Sequence, residues 1–205
     1  MKVYILPTLV AALAMAPVLS LSTPAVAQAT APDSSGAGQF IDTLADQAFA
    51  TLKTSGSGKV TPAQRAKFRS LLAKDFAVKA IGDRLIKRWR PTITPAQYSA
   101  YLAAFPDYII NTYADNLSGY GDADLKVTRV APVGSGFAVY TSVAKPGGQP
   151  VNATWSVVRA GAGFQVTNLT VGGVNLAVTQ SADFDAYVQK NGFDALITFM
   201  KSRQG

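Results

Sequence analysis

Between Ala123 and Val171, four strand-length segments are joined by connections too short for anything but hairpins. They read ADLKVTRVAPV (123–133), GFAVYTSVAKP (136–146), QPVNATWSVVRA (149–160) and GFQVTNLTV (163–171), with GSG, GGQ and GAG marking the breaks. A parallel crossover needs a dozen or more residues, so these strands must pair antiparallel as a meander. Alternation is cleanest in the third segment. Val151, Ala153, Trp155 and Val157 point one way, and Asn152, Thr154 and Ser156 point the other. Such a sheet has one apolar face, and something must cover it.

The stretch VTNLTVGGVNLAVTQ (166–180) breaks the rule. Val166, Leu169, Val171, Val174, Leu176 and Val178 fall on both parities, and Gly172-Gly173 interrupts them. The glycine pair is expected to form a turn or bulge that resets the alternation. Two readings stay open. A strand covered by helices on both faces is apolar on both parities. A curved sheet capped but not filled by helices encloses an apolar cavity, which the same residues would line.

Helices are expected on either side of the sheet. Phe40, Leu44, Ala48 and Leu52 recur at helical spacing over Gln39–Thr54, until TSGSGK stops the pattern. Thr61-Pro62 with Gln64, and Thr94-Pro95 with Gln97, each make a helix start with a capping box. Ala77, Ile81, Leu85 and Trp89 form one stripe beside a basic side of Arg84, Lys87, Arg88 and Arg90, and Pro91 is expected to end that helix. The next helix carries Tyr98, Leu102, Phe105, Ile109, Tyr113 and Leu117 along one face. Pro106 lies inside it and predicts a kink or restart. After Val178 the helical period returns, with Ser181 read as a cap and GFDALITFMKSR as the closing helix. The expected fold is α+β: N-terminal helices, a curved antiparallel sheet of four to five strands, and two short C-terminal helices.

Lys2, the apolar run Val3–Leu21 and Ala25-x-Ala27 have the form of a secretory signal cleaved after Ala27. Residues 28–38 are small and polar and read as a disordered lead, leaving 39–205 as one domain. The net charge is +7, and loses one unit with Lys2. There is no cysteine, so the exported fold must hold by packing alone. There is no histidine, and all twelve acids are aspartate. Serine–histidine and cysteine–histidine catalysis are excluded, and no metal or cofactor is expected. The basic residues are scattered, which argues against nucleic acid.

The segment IGDRLIKRWRPTITPAQYSAYLAAFPDYIINTYADNLSGY resembles the centre of the MlaC family, the toluene-tolerance auxiliary proteins. The resemblance rests on Gly82, Trp89, Arg90, the Thr94–Gln97 box, Tyr113, Leu117 and Tyr120. It returns in the C-terminal half at Gly173, Val174, Leu176, Phe184, Gly192, Asp194, Leu196 and Ile197, and covers about residues 39–202. Asn168, Ser181 and Pro106 depart from the pattern.

The resemblance implies a periplasmic phospholipid carrier, with acyl chains in a cavity between sheet and helices. Its partners would be an inner-membrane MCE/ABC transporter complex and an outer-membrane lipoprotein complex. Hopanoid-associated relatives share the pattern, so a hopanoid or other apolar ligand is the alternative. Expected lipid-lining residues are Trp89, Phe105, Ile109, Tyr113, Val139, Trp155, Leu169, Val171, Val174, Leu176 and Val178. Arg84, Lys87, Arg88 and Arg90 are candidates for headgroup or partner contact, and a monomer is expected. A steroid-isomerase-like enzyme is the rival from another class. It would use Asp107 or Asp115 with Tyr108 or Tyr140, but no acid sits in an apolar strand pattern that would raise its pKa. An interaction protein with a filled core is the third reading.

Overall fold

The computed structural model describes residues 34–53 and 60–203. The signal sequence, residues 28–33 and the TSGSGK stop at 54–59 lie outside the described residues. Helices α1 (Ser34–Leu52), α2 (Pro62–Asp75), α3 (Val78–Leu85) and α4 (Pro95–Ser118) come first. Strands β1 (Asp124–Val133), β2 (Gly136–Ala144), β3 (Val151–Ala160), β4 (Gly163–Val171) and β5 (Val174–Asn175) follow. Helices α5 (Leu176–Asn191) and α6 (Phe193–Ser202) close the chain. The five strands form one antiparallel sheet in sequence order, giving the expected α+β fold.

Two bulges explain how residues of both parities reach one face. In β4, Val157 pairs with Val166 but Ser156 pairs with Asn168, so Thr167 is the extra residue. The insertion brings Val166, Leu169 and Val171 to the face that carries Val157, Trp155 and Ala153. A second bulge at Thr128 does the same for Leu125, Val127 and Val130 in β1. Each bulged threonine donates its hydroxyl to a neighbouring-strand carbonyl: Thr128 to Tyr140 at 3.1 Å and Thr167 to Ser156 at 3.3 Å. The parity reset is thus at Thr167. Gly172-Gly173, at φ +56° and +85°, makes the two-residue turn into β5, a conformation that favours glycine.

Both capping boxes form as expected, and α4 runs through Pro106 as one helix without restarting. Four expectations are corrected. Residues 34–38 are helical rather than part of a disordered lead, because small residues let α1 lie directly on the sheet. Ala37 is fully buried, and a Cβ on Gly38 would come within 3.1 Å of Val130. The α3 helix ends at Leu85, and tight turns rather than helix carry the chain to Pro91. The strand after Gly173 lasts two residues, so Leu176 and Val178 are helical. Asn175 caps α5 by accepting the Val178 N–H at 3.1 Å. Ser181 therefore lies within α5, and its hydroxyl donates to the Leu85 carbonyl at 3.0 Å, capping the end of α3 from another helix.

The core has three parts. The α3–α6 helices pack around Tyr101, Phe105, Phe184, Leu196 and Met200. Gly82 lets α4 come close, since a Cβ there would sit 3.2 Å from the Phe105 ring. Helix α1 covers one end of the inner sheet face through Ile41, Leu44 and Ala45, against Phe137, Val139, Val157 and Val166. Leu52, Val60, Leu72, Ile110 and Ala114 join α1, α2 and α4.

Candidate functional site

Helix α1 fills only one end of the inner face. At the other end Val143, Val151, Ala153, Trp155, Leu169 and Val171 face space. Two apolar cavities lie there, of about 330 and 210 Å³. They meet at six shared side chains: Phe68, Leu72, Phe76, Leu117, Leu169 and Val171. The larger is closed by Val78, Ile81 and Leu85 of α3, Phe105, Ile109 and Tyr113 of α4, and Leu176 of α5. The smaller is closed by Leu44, Phe49 and Leu52 of α1 with Tyr120 and Leu125. Helix α2 spans the junction. It buries little, but places Phe68 and Leu72 one turn apart, i and i+4, between the two volumes.

Helix α2 is tied to α4 by polar contacts. Arg69 ion-pairs with Asp107, and Arg65 donates to Asn111 at 3.1 Å. The junction after α2 is sewn to the sheet instead: the Ala77 N–H donates to the Val166 carbonyl at 2.9 Å. A third cavity, between α1 and the end of α2, has a mixed polar and apolar lining. Gln39, Thr43, Gln47, Lys74 and Asp75 line it, and burial pushes the Asp75 carboxyl above its usual range, with Lys74 opposing.

Of the eleven residues expected to line lipid, Phe105, Ile109, Tyr113, Trp155, Leu169, Val171 and Leu176 line these cavities. Four do not. Val139 is fully buried at the end of the sheet that α1 has already closed. Val174 and Val178 are 51% and 66% exposed, Val174 in the two-residue edge strand β5 and Val178 on the outward side of the first turn of α5. Trp89 packs on the helical core and donates its indole N–H to Asp185 at 2.7 Å, anchoring the α3–α4 connection to α5.

The four basic residues are exposed and dispersed. Arg88 lies over the Trp89 ring and Arg90 over the Tyr98 ring, at 5.2 and 3.7 Å. Arg90 thereby joins a cluster in which Tyr98 and Lys79 hydrogen-bond Asp83 at 2.6 and 2.8 Å. Burial alone would raise the Asp83 pKa, but those bonds and the Lys79 and Arg90 charges hold it below the usual range. Lys87 contacts neither cavity. Arg84 alone reaches a lining residue, donating to the Thr167 carbonyl at 3.2 Å at the β4 bulge. The walls missed from sequence include Phe68, Leu72, Phe76 and Gln180. The i, i+4 pair Phe68–Leu72 was the available signal for α2.

Asp107, a candidate base for the enzyme reading, is ion-paired with Arg69 and lines neither cavity. Tyr140 stacks under Arg129 at 3.9 Å, on the sheet face away from the cavities. Among the described residues no acid cluster is placed to hold a metal ion, and no helix is long and apolar enough to cross a membrane.

A one-sided sheet, backed by helices and incompletely filled beneath, defines an α+β cavity protein. The family profile described as MlaC protein matches residues 42–202, and this chain belongs to that family. A solved phospholipid-binding protein from Ralstonia solanacearum, in complex with a phospholipid, has a similar fold. The match has a TM-score of 0.67 at 21% sequence identity, over 82% of this chain and 96% of that one.

Proposed function

We propose that this protein is a periplasmic phospholipid carrier that passes lipid between an outer-membrane lipoprotein complex and an inner-membrane MCE/ABC transporter complex, and so maintains outer-membrane lipid asymmetry. The observation that carries this reading is the pair of adjoining apolar cavities meeting at Phe68, Leu72, Phe76, Leu117, Leu169 and Val171. Two acyl chains could share such a divided space. Each buried methylene contributes about 0.8 kcal/mol, so long chains supply the driving force with no acid, base or metal. Family membership and the lipid-bound relative of similar fold support the ligand class. Arg84, at the rim beside Thr167, is the basic residue best placed for a lipid phosphate. The transport reading is also favoured over the enzyme by Asp107, whose carboxylate is held by Arg69 outside the cavities.

Native mass spectrometry of the protein purified from the periplasm, followed by lipid extraction, tests the proposal. A copurifying phospholipid, lost on denaturation, is expected. A hopanoid mass would change the ligand and keep the mechanism. A clean apo mass that refuses added phospholipid would remove the carrier reading.

A further inference from the structure

Gln180 is the most buried of the polar side chains in the wall of the larger cavity, beside Tyr113, Thr167 and Asn168. Leu176, Ala177 and Gln180 line it from one face of α5, and Gln180 is only 7% exposed. Its Oε1 accepts from the hydroxyls of Tyr108 and Tyr113, each at 3.4 Å. Burial, with help from Tyr108 and Asp183, pushes the Tyr113 phenol up, so it stays a neutral donor. Two donors on one oxygen fix the direction of the carboxamide. Its Nε2 makes no hydrogen bond among the described residues, and the side chain lines the cavity.

A carboxamide nitrogen carries two N–H donors, and neither meets an acceptor in this wall, where the Asn168 Oδ1 is likewise unpartnered. An acyl chain offers none either, nor does a fused hydrocarbon ring system. The carbonyl of an acyl ester does. One basic residue, Arg84, lies nearby. Ser181, next to Gln180, hydrogen-bonds the Leu85 carbonyl, so α5 runs beside the end of α3 that carries Arg84. Arg84 in turn holds Thr167, which lines the same cavity. A ligand with its phosphate at Arg84 would bring its ester groups near Gln180 and its chains into the apolar volume.

We infer that Gln180 is a specificity-determining residue: its Nε2 donates to an ester carbonyl of the bound lipid, so the cavity selects ester-linked acyl lipids over ligands whose buried part is pure hydrocarbon. The inference rests on the carrier reading and narrows its substrate class. Tyr108 and Tyr113 act as positioning residues by holding the amide with its nitrogen toward the ligand.

The test offers delipidated protein an equimolar mixture of diester phosphatidylglycerol and its diether analogue, with identical chains and headgroup. Native mass spectrometry reads the occupancy ratio. The wild-type protein is expected to favour the diester by about tenfold, which corresponds to about 1.4 kcal/mol. Gln180→Leu should bring the ratio to about one through loss of diester binding, with diether binding unchanged. Gln180→Met serves if the leucine variant does not fold, and Tyr113→Phe should reduce the preference in part. Equal uptake of the two lipids by wild-type protein overturns the inference and leaves the carrier reading standing. An ester preference that survives loss of the amide also overturns it. Uptake of neither lipid would sink the carrier reading, and the role of Gln180 with it.

Discussion

Trp155 donates its indole N–H to the Thr141 hydroxyl at 3.0 Å, and that hydroxyl donates on to the Ala153 carbonyl at 3.4 Å. Thr141 is the polar member of an otherwise apolar row with Phe137 and Val139, and it is 2% exposed. It supplies the acceptor for the indole N–H of the half-buried Trp155. Thr141→Val should leave that donor unpaired and cost about 1–3 kcal/mol in a urea unfolding titration, whereas Thr141→Ser should restore most of the loss. Unchanged stability in Thr141→Val would remove the role given to this hydroxyl.

Cavity wall and filled core should answer differently to the same insult. Leu176 lines the larger cavity, and Val139 is packed under α1. Leu176→Arg should leave a folded protein by far-ultraviolet circular dichroism that no longer takes up phospholipid. Val139→Arg buries an unpaired charge and should abolish cooperative unfolding. If Leu176→Arg also fails to fold, Leu176 is core rather than wall.

The sheet was legible in advance because GSG, GGQ and GAG leave no alternative to hairpins, and four strands appear where those breaks put them. The bulges were not. A binary pattern assigns a threonine to neither face, so nothing marks Thr128 or Thr167 as the residue to skip. Asn175 was legible only as a strand residue, and its side chain decides that Leu176 begins a helix. Hence Leu176 reaches the cavity while Val178, two residues on, points to solvent. Gln180 escaped for the same reason. Once α5 starts at Leu176, Gln180 shares a helix face with Ala177 and Phe184, whereas a strand reading reaching Val178 hides that spacing.

The β4 bulge makes its own prediction. Deleting Thr167 removes the extra residue that puts Val166 on the same face as Leu169 and Val171. One side of the join must then turn its apolar residues outward. The deletion should give insoluble protein or a broad, non-cooperative melt. Thr167→Ala keeps the count and loses one hydroxyl bond to Ser156, so it should cost only about 0.5–1.5 kcal/mol. A deletion variant that melts as sharply as wild type would contradict the register argument.

Asp75 should write itself into the pH dependence of stability. Burial raises its carboxyl pKa above 3.8, outweighing the Lys74 charge. The folded state therefore holds this proton more tightly than the unfolded chain. The stabilisation is complete below pH 3.8 and is lost as pH rises through the higher folded value. Asp75→Asn should be more stable than wild type at neutral pH, with the advantage shrinking on acidification. Thermal unfolding of both proteins from pH 3 to 7 checks this. A constant gap across the range would rule out the linkage.

Asn175 is at once the last residue of the sheet, paired with Thr170, and the cap of α5. With only the Gly172-Gly173 turn before it, the chain has no slack between β4 and the helix that walls the larger cavity. Floor and wall on that side are one stiff corner, and swinging α5 outward would mean tearing strand pairing or the cap. The opposite wall is joined differently, since α2 meets α4 through side chains, Leu72 packing with Ile110 and Ala114 while Arg65 and Arg69 reach Asn111 and Asp107. Any widening of the larger cavity therefore meets backbone pairing on the α5 side and side-chain packing between α2 and α4.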